Sequence, residues 1–258
     1  MERLRSSVAI KHYRIYSSSD YFTTYTRFFN AALAYGRFTD DSFVPFVGIY
    51  STPKHPMCLV FEHMDNYNLR QYLHSNEHLG RCELLLETAR AVDFLHSRDV
   101  VHKNLKITNV LVDCKGHARL AGFGSASLPS APPGMDIDRS FHGAAPELIE
   151  HQYGGMTESG ATKFTDVFAF GVLAWEVFAG RVPFSDRPKV AGVVSMWKGH
   201  RPDRPHHPEL SDRLWKTIEG CWKVNPAQRM TIAQVVGVLE AEVKIHQSRS
   251  LALRQDQA

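Results

Sequence analysis

The sequence predicts an α+β fold in which a small strand-rich lobe precedes a larger helical one. From Ser7 to Glu62 the chain favours β-branched and aromatic residues in short alternating runs, whereas from Asn68 onward apolar residues recur with the period of 3.6 that marks helices. A length of 258 residues with 43% apolar content suits one large globular domain or two small ones and excludes a disordered or fibrous chain.

Ser7 to Tyr16 alternates as a strand, and Pro45 to Tyr50 with Met57 to Glu62 reads as two more around a proline-containing turn. Between them, Tyr21 to Gly36 places Phe28, Phe29, Ala32 and Leu33 at helical spacing and ends at a glycine, as helices often do. Leu69 to Leu73 and Cys82 to His96 follow as helices, the second with Leu84, Leu85, Ala89, Val92 and Leu95 along one stripe. A short hairpin, Asn109 to Asp113 and His117 to Ala121, is expected around the turn-forming Asp113-Cys114-Lys115-Gly116. Leu128 to Gly134 holds three prolines and a glycine and predicts an extended loop. Phe164 to Phe178 is apolar almost all round, the pattern of a buried helix. Further helices are expected at Lys189 to Lys198, Ser211 to Trp222 and Thr231 to Ile245, with Pro202, Pro205 and Pro208 breaking the chain between the first two. The polar stretch from Gln247 to Ala258 is expected to fray.

Composition narrows the function classes. A net charge of +3 describes a mildly basic surface, so nucleic acid is not an expected partner. Cys58, Cys82, Cys114 and Cys221 stand far apart with no CxxC pair, which fits a reducing compartment and argues against structural zinc. The 14 histidines include His206-His207 but no HExxH-like spacing, and no metal site is expected from them. The longest apolar stretch, Phe168 to Gly180, is interrupted by Glu176 and falls short of the roughly 20 residues of a bilayer span. Met1-Glu2-Arg3-Leu4-Arg5 leads into a polar run without a signal-peptide core. A cytoplasmic protein with no membrane partner is the expectation.

Several short motifs then stand in order: Val8-Ala9-Ile10-Lys11, His102-Lys103-Asn104-Leu105-Lys106-Ile107-Thr108-Asn109, Gly122-Phe123-Gly124, Ala145-Pro146-Glu147, Asp166-Val167-Phe168-Ala169-Phe170-Gly171, and Arg229 in Cys221-Trp222-Lys223-Val224-Asn225-Pro226-Ala227-Gln228-Arg229. Each is weak alone. Their order and spacing resemble the protein kinase fold from about Val8 to about Glu240, and the last stretch with Trp175-Glu176 is most similar to the tyrosine kinase-like group of serine/threonine kinases. The resemblance implies that Lys11 holds the ATP α and β phosphates, that residues 102–109 form the catalytic loop, and that Gly122 stands at the metal-binding aspartate position. It implies scaffold roles for three groups: Glu147 and Arg229 as an ion pair tying down the activation segment, and Asp166 as an acceptor for catalytic-loop N–H groups. Residues 1–64 would be a partial small lobe without a glycine-rich loop, 65–246 the large lobe, and 247–258 a polar tail.

Four departures bear on phosphoryl transfer. Asn104 replaces the aspartate that accepts the substrate hydroxyl proton, and its amide has no useful basicity; general base action typically contributes about 10²- to 10⁴-fold. Gly122 replaces the metal-binding aspartate, leaving Asn109 as the remaining ligand for Mg²⁺, which a neutral amide holds poorly. Ala31 falls where a glutamate would pair with Lys11, and neither Asn30 nor Ala32 is an acid. Seven residues precede Val8, too few for the strands and glycine-rich loop that cover the nucleotide, unless the true start lies upstream. The exposed strand edge near Val8 to Tyr13 would then be an aggregation liability.

Other nucleotide-facing features look intact. Ala9 and Leu111 flank the expected adenine position, Glu62-His63-Met64 forms the hinge, and Phe61 stands at the gatekeeper position. Lys106 and Asn109 remain in the catalytic loop, where the Leu105-Lys106 order resembles serine/threonine rather than tyrosine kinases. Ser125, Ser127, Ser130 and Ser140 lie in the activation segment, yet Lys103 replaces the arginine that grips an activating phosphate. The resemblance therefore implies a pseudokinase acting as a scaffold or allosteric partner for other proteins, an active kinase among them. The helices after Asp166 and the groove near Phe141 to Pro146 are the docking candidates. ATP is a candidate ligand, with Mg²⁺ weak or absent. The alternative is a weakly active ATP-dependent serine/threonine kinase.

Overall fold

The β-branched runs of the first third build one small antiparallel sheet. The structure, a computed structural model, describes residues 7–15, 21–76, 80–123, 126, 143–149 and 160–255. Strands β1 (Val8–His12) and β2 (Phe46–Thr52) both pair with β3 (His55–Glu62), in the order β1-β3-β2. Flanked on both edges, β3 buries Met57, Cys58, Leu59 and Phe61, whereas every residue of β1 is exposed. The first strand is shorter than the alternation from Ser7 to Tyr16 predicts. Tyr13 N–H still reaches the Met57 carbonyl at 2.9 Å, one residue past the end of the paired strand at His12.

Helix α1 (Tyr21–Arg37) crosses this sheet and buries Phe28, Ala31, Ala34 and Tyr35. The large lobe begins with α2 (Leu69–Ser75), capped by the Asn68 side chain, which accepts the Gln71 N–H. Helix α3 (Arg81–His96) follows, then the hairpin β4 (Val110–Val112) and β5 (Ala118–Leu120), closed by the predicted Asp113 turn. Helix α4 (Lys163–Ala179) is the hydrophobic axis of this lobe: Thr162 and Thr165 cap its start, it is buried on nearly every face, and it ends at Gly180 in the left-handed conformation (φ +66°). Three more helices follow, α5 (Lys189–Trp197), α6 (Asp212–Cys221) and α7 (Ile232–Gln255), with α6 against α4 and α7 against α3.

Helix α7 continues past Gln247 to Gln255, through the stretch where fraying is expected. That stretch contains neither glycine nor proline and is rich in strong helix formers. The loop at Leu128 to Gly134, the serines at 125, 127, 130 and 140, and Phe141 of the candidate groove lie outside the described residues. Among the described residues no helix is long and apolar enough to cross a membrane.

Candidate functional site

The loop at residues 102–109, the expected catalytic loop, takes its shape from one buried carboxylate. Asp166, in the first turn of α4 and 1% exposed, accepts the His102 N–H at 2.8 Å, the Lys103 N–H at 2.9 Å and the His96 Nε2–H at 2.9 Å. These bonds hold Lys103 in the left-handed region (φ +65°), a conformation costly for a lysine. Burial lowers the Lys103 pKa, with Asp166 opposing the shift. His102 is fully buried and neutral: its Nε2–H donates to the Ala121 carbonyl (2.9 Å), so Nδ1 keeps the lone pair that accepts the Asn104 N–H (3.2 Å). Burial accordingly depresses its pKa, against a raising contribution from Asp166.

A stack of rings ties this loop to the small lobe. The His102 ring lies 5.2 Å from Phe123, Phe123 lies 4.7 Å from Tyr35 edge to face, and Tyr35 lies 5.9 Å from Phe46. Phe123 is completely buried within it. Tyr35 was not singled out in the sequence, although it stands one helical turn after Ala31, at the spacing that shares a helix face. Its hydroxyl accepts the Gly122 N–H at 2.9 Å, and burial pushes its pKa well above the ordinary tyrosine value. Tyr35 and Phe61, 4.6 Å apart, wall off the back of the cleft. Ala31 is fully buried on the same helix, so the position that would hold an acid facing Lys11 is part of the apolar core.

In front of that wall lies a cavity of about 360 Å³ between the lobes. Ala9, Lys11, Glu62, Met64, Leu111, Asn109 and Gly122 all line it, so the fold brings together every residue expected to face a nucleotide or metal. The Met64 carbonyl is taken by the Tyr67 N–H at 3.1 Å, whereas no hydrogen bond among the described residues takes the Met64 N–H. Asn104 and Lys106 lie just outside the cavity and shape it through their backbones, the Asn104 carbonyl accepting from Asn109 Nδ2 (2.7 Å) and the Lys106 carbonyl from Asn109 N–H (2.9 Å).

The donor set does not suit Mg²⁺, which prefers carboxylate and water oxygens. Among the described lining residues the sole carboxylate is Glu62, at the hinge end of β3. At the expected metal position, Gly122 adopts φ +97°, and a Cβ there would sit 2.6 Å from Asn109 Nδ2 and 2.8 Å from its Cγ. The Asn109 carboxamide thus fills the space into which a side chain at 122 would project.

The predicted scaffold pair is present away from the cleft. Arg229 grips Glu147 with two bonds of 2.6 and 2.8 Å and also donates to the carbonyls of Lys223, Phe164 and Val224. Its side chain is wholly buried and lies against the Phe168 ring. Glu147 belongs to a helical turn at residues 146–149.

Comparison with known proteins agrees with this architecture. The family described as protein tyrosine and serine/threonine kinase matches residues 1–239. Over 78% of its length the chain is 29% identical to the serine/threonine-protein kinase STY17 of Arabidopsis thaliana, and over 71% it is 30% identical to the serine/threonine/tyrosine-protein kinase HT1 of the same plant. It is also 31% identical, over 67% of its length, to a dual serine/threonine and tyrosine protein kinase of Apis mellifera. The matched segments cover 35%, 46% and 18% of those three proteins, so the chain spans less than half of each.

Proposed function

Because the chain belongs to the protein tyrosine and serine/threonine kinase family, we propose that its kinase domain is catalytically impaired and works by binding other proteins as a scaffold or allosteric partner. One observation carries the reading: the metal position is Gly122, with the Asn109 carboxamide packed where its side chain would be. Phosphoryl transfer depends on metal ions that neutralise charge on the β and γ phosphates, and of the two expected ligand positions, 109 and 122, only Asn109 offers a side-chain oxygen, that of a neutral amide. Asn104 adds a second deficit, since it accepts no proton from a substrate hydroxyl.

Allosteric action needs none of this chemistry. A domain that binds one conformation of an active kinase better than another shifts its equilibrium through differential contact free energy. Protein partners are accordingly proposed, with neither nucleic acid nor membrane, and a cytoplasmic location. The large lobe beyond Asp166 is the proposed docking surface.

The second reading, a slow ATP-dependent serine/threonine kinase, is favoured by the assembled cavity with Lys11 on its wall and the Met64 N–H at the hinge. Transfer from labelled ATP to a basic protein substrate, with Lys11→Met as control, separates the two. The expected result is incorporation no greater than that of Lys11→Met. Incorporation that Lys11→Met abolishes overturns the impaired reading in favour of the second.

A further inference from the structure

Far from the cleft, the start of α3 meets the later part of α7 and the connection before α6. Cys82 Sγ, a Glu209 carboxylate oxygen and a His246 imidazole nitrogen converge there, all within 4.8 Å of one another. Local spacing hides this set, because Glu209 stands 127 residues from Cys82 and His246 further still. Only the packing of α7 on α3 brings His246 to Cys82.

We propose that these three side chains form a zinc site that clamps α7 to the start of α3. The donor set is one thiolate, one imidazole and one carboxylate, the mixture that Zn²⁺ accepts and that Mg²⁺ and Ca²⁺ do not. Two further observations support it. His246 Nε2 is shielded from solvent and has no hydrogen-bond partner among the described residues, an orphaned atom that a metal bond satisfies. Glu209 is already oriented: its Oε2 accepts the N–H groups of Arg81 (2.9 Å) and Cys82 (3.1 Å), which leaves Oε1 as a donor.

Zinc–ligand bonds of about 2.0–2.3 Å place tetrahedral donors about 3.3–3.8 Å apart, so the three atoms need to close by roughly an ångström. Water takes the fourth position. On binding, the Cys82 S–H bond breaks, a sulfur–zinc bond forms, and the proton passes to solvent with no change in oxidation state. The thiolate and carboxylate charges then balance the dication.

The test is titration of the 258-residue chain with Co²⁺, whose tetrahedral thiolate complexes carry an intense sulfur-to-metal charge-transfer band. Saturation at one equivalent and displacement of the band by Zn²⁺ are expected. Cys82→Ser should abolish the band, and Cys114→Ser, at an exposed cysteine, should leave it unchanged. Cys82 is fully buried, so a second variant guards against loss of folding: His246→Ala, at a partly exposed site, should weaken Co²⁺ binding by at least about tenfold while circular dichroism stays unchanged. Absence of the band at equimolar Co²⁺, its survival in Cys82→Ser, or unaltered affinity in folded His246→Ala overturns the proposal.

Discussion

At the level of single residues, the cleft is defined by groups that fill space where reactive groups would stand. Gly122 has φ +97°, and Asn109 occupies the volume beside it. Restoring an acid with Gly122→Asp therefore meets both an unfavourable backbone conformation and a displaced amide. It is expected to lower stability by about 1–2 kcal/mol in urea unfolding, and a variant as stable as the parent contradicts the crowding. Tyr35 plays the opposite part, since its hydroxyl satisfies the buried Gly122 N–H. Tyr35→Phe leaves that N–H unpaired with little change in packing, and the expected cost is about 1–3 kcal/mol by the same measurement.

At the level of elements, the large lobe depends on bonds between α4, the helical turn at residues 146–149, and the chain just before α7. Arg229 is the hub, with its guanidinium wholly buried and shared between Glu147 and three backbone carbonyls. Removing one partner of a buried pair leaves the other charge uncompensated, typically at about 3–5 kcal/mol. Glu147→Ala should therefore destabilise the chain far more than Lys163→Ala, which breaks an exposed, solvent-screened pair with Asp99. Equal effects of the two substitutions on the urea midpoint would show that the Arg229 hub has no special weight.

Across the whole molecule, pH acts through a histidine that joins the lobes. Burial holds the pKa of His102 below its ordinary value of 6.5, so the folded chain keeps it neutral where the unfolded chain takes up a proton. The stability that this difference contributes is fully present above about pH 6.5 and is lost as pH falls below it, by up to about 1.4 kcal/mol per unit. His207, also lowered chiefly by burial, acts in the same direction. Glu176 has a raised pKa, caused first by burial, and opposes them as pH falls through that raised value, since its protonation favours the folded state. The midpoint temperature should therefore rise between pH 5.5 and 7.5, and His102→Phe should flatten that rise. A parent profile with no slope in this window rules out the buried neutral histidine as its source.

Much of this architecture was legible in the order of residues. The lysine strand, the catalytic loop, Asp166 and the Glu147–Arg229 pair each combine a local pattern with a fixed spacing, and a local pattern survives in a linear string. The absence of acids at 31, 104 and 122 was equally plain there, because it is a matter of identity alone. The end of β1 at His12 was not, since it depends on pairing with β3, a segment distant in the chain. The continuation of α7 was missed because polarity was read as fraying when helix propensity outweighed it. The closure of the metal position by Asn109, the place of Tyr35 between Phe123 and Phe46, and the meeting of Cys82, Glu209 and His246 were decided by tertiary structure alone. Each is a contact between distant segments, and which distant side chains touch is fixed by the packing of helices and sheet around one shared core.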